Sequence, residues 1–163
     1  GLAGAQSVFE LLDQPLEQDT GNQTLPRVHG KIEYHDVHFG YRQAKKRILK
    51  AINFKVEPGQ TIALVGRSGA GKTTIASLLP RLYELEQGCI KIDGIDIRAF
   101  SLNYLRDQIT LVNQQVILFN DTIAHNIAYG CNHSATRAQI EEAARAANVF
   151  QFASHFPQGL DTL

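Results

Sequence analysis

The chain has 163 residues, 44% of them hydrophobic and 20% charged, with 16 Lys+Arg balanced by 16 Asp+Glu. That neutrality argues against nucleic acid or an anionic membrane as the main partner, and the length suits one domain with a sizeable core or a large piece of one. Cys89 and Cys131 lie far apart and form no CxxC pair, so the sequence gives little support to a zinc or disulfide framework and favours two thiols in a reducing compartment. No apolar run approaches the roughly 20 residues of a membrane span, so a soluble intracellular chain is expected.

In chain order, Leu2, Ala5, Val8, Phe9 and Leu12 recur at helical spacing and predict an amphipathic helix over residues 2–12, stopped by Pro15. From Asp13 to Gly30 the chain turns polar around Gly21, Asn22 and Pro26 and reads as a linker. KIEYHDVHFGY then alternates, with Ile32, Tyr34, Asp36 and His38 on one side and Glu33, His35, Val37 and Phe39 on the other. Three apart on a strand, His35 and His38 point to opposite faces and make no metal pair. A second strand is expected in ILKAINFKVE, followed by a Pro58-Gly59 turn. The runs QTIALV (60–65) and ITLVNQ (109–114) read as short strands buried on both faces.

A helix from Gly71 carries Ile75, Leu78, Leu79 and Leu82 on one stripe, with Pro80 bending its last turn. CIKIDGIDIR is a hairpin around Asp93-Gly94, and SLNYLRDQ a short helix. Further on, Asp121 caps a helix holding Ile123 and Ile127. Thr136 with Gln139 forms a capping box ahead of Ile140, Ala143, Ala144 and Ala147.

The sharpest motif is Gly66-Arg67-Ser68-Gly69-Ala70-Gly71-Lys72-Thr73, which satisfies the P-loop pattern GxxxxGK[ST]. Its glycines let successive N–H groups turn toward one point as an anion nest, and the helix that follows adds its own free N–H groups. Lys72 is placed for the β- and γ-phosphates, the Thr73 hydroxyl for Mg²⁺, and Thr74 for the α-phosphate. No DxxG or NKxD motif follows, as a GTPase would need, and no basic lid, as a nucleoside kinase would need. Asp93 comes after a run broken by Lys91 and directly before Gly94, so it reads as a turn residue and not as a Walker B aspartate.

With the P-loop stand HDVHFGY, then GCIKIDGIDIRAFSLNYLRDQITLVNQQVILFNDTIAHNIAYG, QIEEAARAANV and FPQGLDTL, in that order. Together these resemble the nucleotide-binding domain of ABC transporters, most closely exporters of the bacterial lipid A flippase type. The resemblance implies an α/β fold: a P-loop NTPase core with a mixed β-sheet, an antiparallel β-subdomain and the start of a helical subdomain. It divides the chain into residues 1–30 as helix and linker after a transmembrane domain, 31–114 as the ATP-binding core and 115–163 as the beginning of the helical subdomain. It implies ATP and Mg²⁺ as ligands, with Tyr41 stacking on the base and Gln114 reaching Mg²⁺ or the attacking water. Gln115 next door leaves the last assignment open by one position. The partners implied are a second nucleotide-binding domain and transmembrane coupling helices facing the stretch from Gln115 to Ile123, at the cytoplasmic face of a bacterial inner membrane, with no nucleic acid.

The sequence departs from the family at Arg42, where proline is frequent, and at Lys45-Lys46-Arg47, where a small apolar residue commonly packs near the ribose. A basic surface loop is the plainer account of the second. No LSGGQ motif, Walker B aspartate, catalytic glutamate or switch histidine appears by Leu163, and no acidic residue stands in for the general base. The intact protein is therefore expected to be an ATPase and translocase, and this chain alone an incomplete, inactive part of it. A non-membrane ABC-type ATPase and a stand-alone nucleotide-binding module are the alternatives.

Overall fold

The computed structural model describes residues 2–13, 17–41, 46–131 and 135–163. It divides into two units, Gly1–Leu111 and Val112–Leu163, each with its own core. Pro15, Arg42 and Lys45 lie outside the described residues.

In the first unit, helix α1 (Leu2–Leu12) occupies the expected span and leaves Val8, Phe9 and Leu12 exposed. Strands β1 (Ile32–Phe39), β2 (Leu49–Val56), β3 (Gln87–Ile92) and β4 (Ile95–Asp96) form an antiparallel sheet in the order β2-β1-β3-β4. Tyr34 sits between Phe54 on β2 and Ile90 on β3. Helices α2 (Lys72–Leu78) and α3 (Leu102–Asp107) complete the unit, with a 3-10 turn at Ile97–Ala99. The core joins Tyr34, Val37, Phe39, Leu49 and Ile90 to Leu78 of α2 and Leu105 of α3. The Tyr34 hydroxyl donates to the Ile75 carbonyl at 2.9 Å, and burial pushes its phenol well above the ordinary range.

The strict alternation expected for β1 fails at one residue. Asp36 takes φ 46° in a β-bulge, so Tyr34 and Val37, three apart, are both buried. The same shift carries His35 and His38 to one face together, which corrects the expectation that they point apart. Among the described residues no group of His, Cys, Asp and Glu has the arrangement to hold a metal. Opposite the bulge, a Cβ on Gly88 would come within 2.3 Å of the Asp36 carbonyl oxygen, so only glycine fits there. A second irregularity, at Ala51 (φ 52°), is tied to the first by Asn53, which accepts from the Asp36 N–H and donates to the Ala51 carbonyl.

The hairpin at Asp93-Gly94 forms as expected, with φ values of 51° and 84° that suit a type I′ turn. The Asp93 carboxylate also accepts from the backbone N–H groups of His29, Gly30 and Lys31. Burial acts to raise this carboxyl, but the three donors outweigh it and hold Asp93 below the usual carboxylate range.

Two apolar segments expected as buried strands are not strands. Residues 60–65 and 109–114 carry no ladder, and Ile62, Leu64, Val65, Leu111 and Val112 are exposed. A strand exists through the hydrogen bonds of its neighbours, and neither segment has a neighbouring strand among the described residues. The sheet observed is accordingly antiparallel throughout, inside an α/β arrangement of strands and helices.

Helix α2 is also shorter than the leucine stripe suggested. It ends at Leu78, before Pro80, and Leu82 is exposed. The end is a Schellman closure: Leu82 N–H donates to the Ser77 carbonyl and Arg81 N–H to that of Leu78, with Arg81 at φ 54°. The left-handed residue here is a buried arginine where glycine is usual, and Glu84 and the Gln18 carbonyl hold its guanidinium. Arg106 donates to the carbonyls of Pro80 and Arg81 and forks onto Glu17, so residues 17–19 are pinned to the end of α2. Asp19 adds a bond from the Leu102 N–H, and the Tyr104 hydroxyl both donates to and accepts from the Leu25 backbone. The expected linker is thus a strap fastened to the domain.

The second unit holds helices α4 (Ile123–Ala128), α5 (Arg137–Ala146) and α6 (Phe150–Ala153). Its core of Ala124, Ala128, Ile140, Ala144, Ala153 and Leu160 relies on small residues that let helices approach closely. The capping box at Thr136 and Gln139 forms as expected. The cap of α4 is Thr122, one residue after the expected Asp121, which instead accepts from the Thr122 N–H and contacts His125.

Candidate nucleotide site

The P-loop residues form an exposed loop leading into α2, with Gly71 buried at the junction. Gly69 and Gly71 take φ values of 77° and 90°, and the Ala70 N–H donates to the Arg67 carbonyl at 3.2 Å. Gly71 is required twice over. Besides its φ, a Cβ there would lie 2.7 Å from Leu49 Cδ2 and 2.9 Å from Ile48 Cγ2. Leu49 at the start of β2 and Ile48 just before it therefore leave no room for a side chain at the loop's last glycine, where α2 begins.

Lys72 curls back over the loop, its Nζ 2.9 Å from both the Gly66 and the Arg67 carbonyl oxygens. A cation held by two neutral carbonyls, at the mouth of a glycine-built turn, is suited to exchange them for anionic oxygens, which make stronger charge-assisted bonds. The next two hydroxyls differ in setting. Thr73 is exposed, whereas Thr74 is 5% exposed and lies 3.1 Å from the Tyr41 hydroxyl. The donor set (one amine, loop N–H groups and two hydroxyls) fits a polyphosphate with a hard divalent cation.

Tyr41 follows β1, and its ring meets Phe39 edge to face at 5.0 Å and Tyr83 at 5.1 Å. Tyr83 was not singled out from the sequence. It lies just past the Schellman turn, and only the ending of α2 at Leu78 brings it to Tyr41. Of the basic run, Arg47 pairs with Glu86 at 2.6 Å and Lys46 is exposed.

Tyr41 and the loop from Gly66 to Thr74 thus belong to one unit and are in contact through Thr74. Gln114 belongs to the second unit, at an exposed bend with Gln115. The residues that follow, Val116, Ile117 and Leu118, are 73%, 81% and 74% exposed. Past them the loop is shaped by a residue that sequence inspection passed over, Asn126. Its side chain accepts from the Phe119 N–H and donates to the carbonyls of Phe119, Asp121 and Thr122. Phe119 also stacks on Tyr129 at 4.1 Å. An asparagine in the first turn of a helix, following a Thr cap, was the available signal.

Residues 49–161 match the ABC transporter family. Over its full length the chain is 52% identical to an ATP-dependent lipid A-core flippase of Coxiella burnetii, and over 99% of its length 51% identical to that of Alkalilimnicola ehrlichii. It spans 28% of the length of each. Among solved structures it is similar to a bacterial Atm1-family ABC exporter with ATP bound, at 38% identity and a TM-score of 0.85, covering 99% of this chain and 28% of that one.

Proposed function

Because this chain belongs to the ABC transporter family, we propose that it is the ATP-holding part of an exporter that moves a lipid A-like lipid across a bacterial inner membrane. The observation that carries the reading is the Lys72 amine poised over the Gly66 and Arg67 carbonyls at the mouth of the loop. Lys72 grips the β- and γ-phosphates, and the N–H groups of residues 66–71 cradle them. The Thr73 hydroxyl holds Mg²⁺, Thr74 meets the α-phosphate, and the Tyr41 ring stacks on the adenine. Bound ATP supplies the anhydride bond whose cleavage drives transport.

The lipid substrate is taken from the names of the relatives, of whose length the chain spans 28%. The exposed apolar run at residues 116–118 supports a docking role for residues 115–123 against membrane-domain helices, since such a run calls for a cover. A second copy of the domain completes the sandwich around ATP. This chain on its own holds nucleotide without turning it over. In a full-length transporter carrying this sequence, Lys72→Ala is expected to abolish ATP-driven lipid flipping in proteoliposomes while leaving assembly intact. Flipping at the wild-type rate would refute the reading, and so would Lys72-dependent ATP hydrolysis by the isolated chain.

A further inference from the structure

Tyr41 and Thr74 stand 33 residues apart in the chain, and their hydroxyls lie 3.1 Å from each other. Neither group is loosely placed. Thr74 is 5% exposed in the first turn of α2, and the Tyr41 ring is wedged edge-on against Phe39 and Tyr83. Packing from three sides therefore sets where the phenol oxygen sits.

Resting on the reading of residues 66–74 as a polyphosphate cradle, we infer that Tyr41 is a positioning residue for the phosphates as well as a platform for the base. The argument is one of proton direction. A phosphate oxygen at neutral pH only accepts, so Thr74 must donate its single proton to it. Thr74 Oγ1 then has only lone pairs left for the phenol, and Tyr41 becomes the donor of the pair. The result is a short relay, Tyr41 O–H to Thr74 O–H to phosphate oxygen, in which each donor polarises the next. The relay holds the Thr74 rotamer and favours one proton arrangement before the ligand arrives.

This separates two contributions of one side chain. Stacking belongs to the ring and survives in phenylalanine, whereas the relay belongs to the hydroxyl and does not. Inorganic triphosphate, which has no base, reads the hydroxyl alone. The test is calorimetric titration of this chain and its variants with Mg²⁺-triphosphate and with Mg²⁺-ATP. Tyr41→Phe is expected to weaken both ligands by the same factor, about 2- to 10-fold. Thr74→Val should weaken both by at least that factor, and Thr74→Ser should retain wild-type affinity. Adding Tyr41→Phe to Thr74→Val should change nothing further, because the relay is already gone.

Wild-type triphosphate affinity in Tyr41→Phe, with only ATP weakened, would overturn the inference, and so would multiplying effects of Tyr41→Phe and Thr74→Val. If Thr74→Val fails to fold, the triphosphate titration of Tyr41→Phe decides alone. A wild-type chain that takes up neither ligand would overturn the cradle reading and the relay with it. Wild-type binding that Tyr41→Phe leaves unchanged overturns the relay only.

Discussion

Arg106 grips Glu17 with both arms of its guanidinium while the same group caps the carbonyls of Pro80 and Arg81 at the end of α2. One side chain thereby joins the segment after α1 to the helix that follows the P-loop. The Arg106 hydrogen bond, opposed by partial burial and aided by its charge, holds the Glu17 carboxyl below the usual range. Both side chains are partly exposed, so the ion pair itself contributes little. Most of the effect lies in the two capped carbonyls. Arg106→Met is expected to cost about 1–2 kcal/mol in urea unfolding and to speed amide exchange at Asn22 and Gln23, whose N–H groups bond the Ala99 carbonyl. Unchanged exchange there would show that the strap is held by other contacts.

Asp93 gives a pH dependence with a definite sign. Its folded carboxyl titrates below the unfolded one because three backbone N–H groups donate to it against the effect of burial. The unfolded chain therefore takes up the proton first. The stabilisation is complete above the ordinary carboxylate range near pH 4 and is lost as pH falls through the depressed folded value. Asp93→Asn should destabilise the chain by about 1–2 kcal/mol at pH 7 and by much less at pH 3, measured as the difference in urea midpoints. An equal loss at both pH values would contradict the assignment.

Two glycines with nearly the same φ should respond very differently to alanine. Gly94 (φ 84°) has nothing within 4 Å of its would-be Cβ, so Gly94→Ala costs only the left-handed backbone, about 1–2 kcal/mol. Gly88 (φ 88°) would drive a Cβ to 2.3 Å from the Asp36 carbonyl oxygen. Gly88→Ala should therefore exceed Gly94→Ala by roughly 2 kcal/mol or more in the same denaturation series.

In the second unit, Asn126 is the staple of the loop after the exposed apolar run. Asn126→Ala leaves the Phe119 N–H and three carbonyls without that partner. A loss of about 2 kcal/mol is expected, on the scale of one to two hydrogen bonds since the loop is exposed and water replaces part of the set. Exchange of the Phe119 amide by NMR reads it directly. Protection equal to wild type would show that the Phe119–Tyr129 stack alone shapes the loop.

What could be read from the sequence is what local chemistry decides. The capping box of α5, the Asp93-Gly94 hairpin and the periodicity of α1 each depend on residues a few positions apart, and each forms where expected. The P-loop pattern likewise puts Gly69 and Gly71 where the backbone takes a positive φ, and Gly71 where a side chain would also clash. What stayed hidden depends on distant partners. The bulge at Asp36 needs Gly88 across the sheet and Asn53 on the other side. Residues 60–65 and 109–114 have strand-like composition, but composition supplies no ladder. Family resemblance alone points to Tyr41. Its contact with Thr74 appears only when β1 and α2 are packed together.

The central claim is that residues 66–74 hold the phosphates of a nucleotide through Lys72. Equilibrium titration of this chain with Mg²⁺-ATP, for wild type and Lys72→Ala, tests it most directly, with inorganic triphosphate and adenosine as competitors. The account predicts saturable binding that triphosphate displaces, weakened at least about tenfold by loss of the amine. Binding that Lys72→Ala leaves intact, or that adenosine displaces and triphosphate does not, would contradict it.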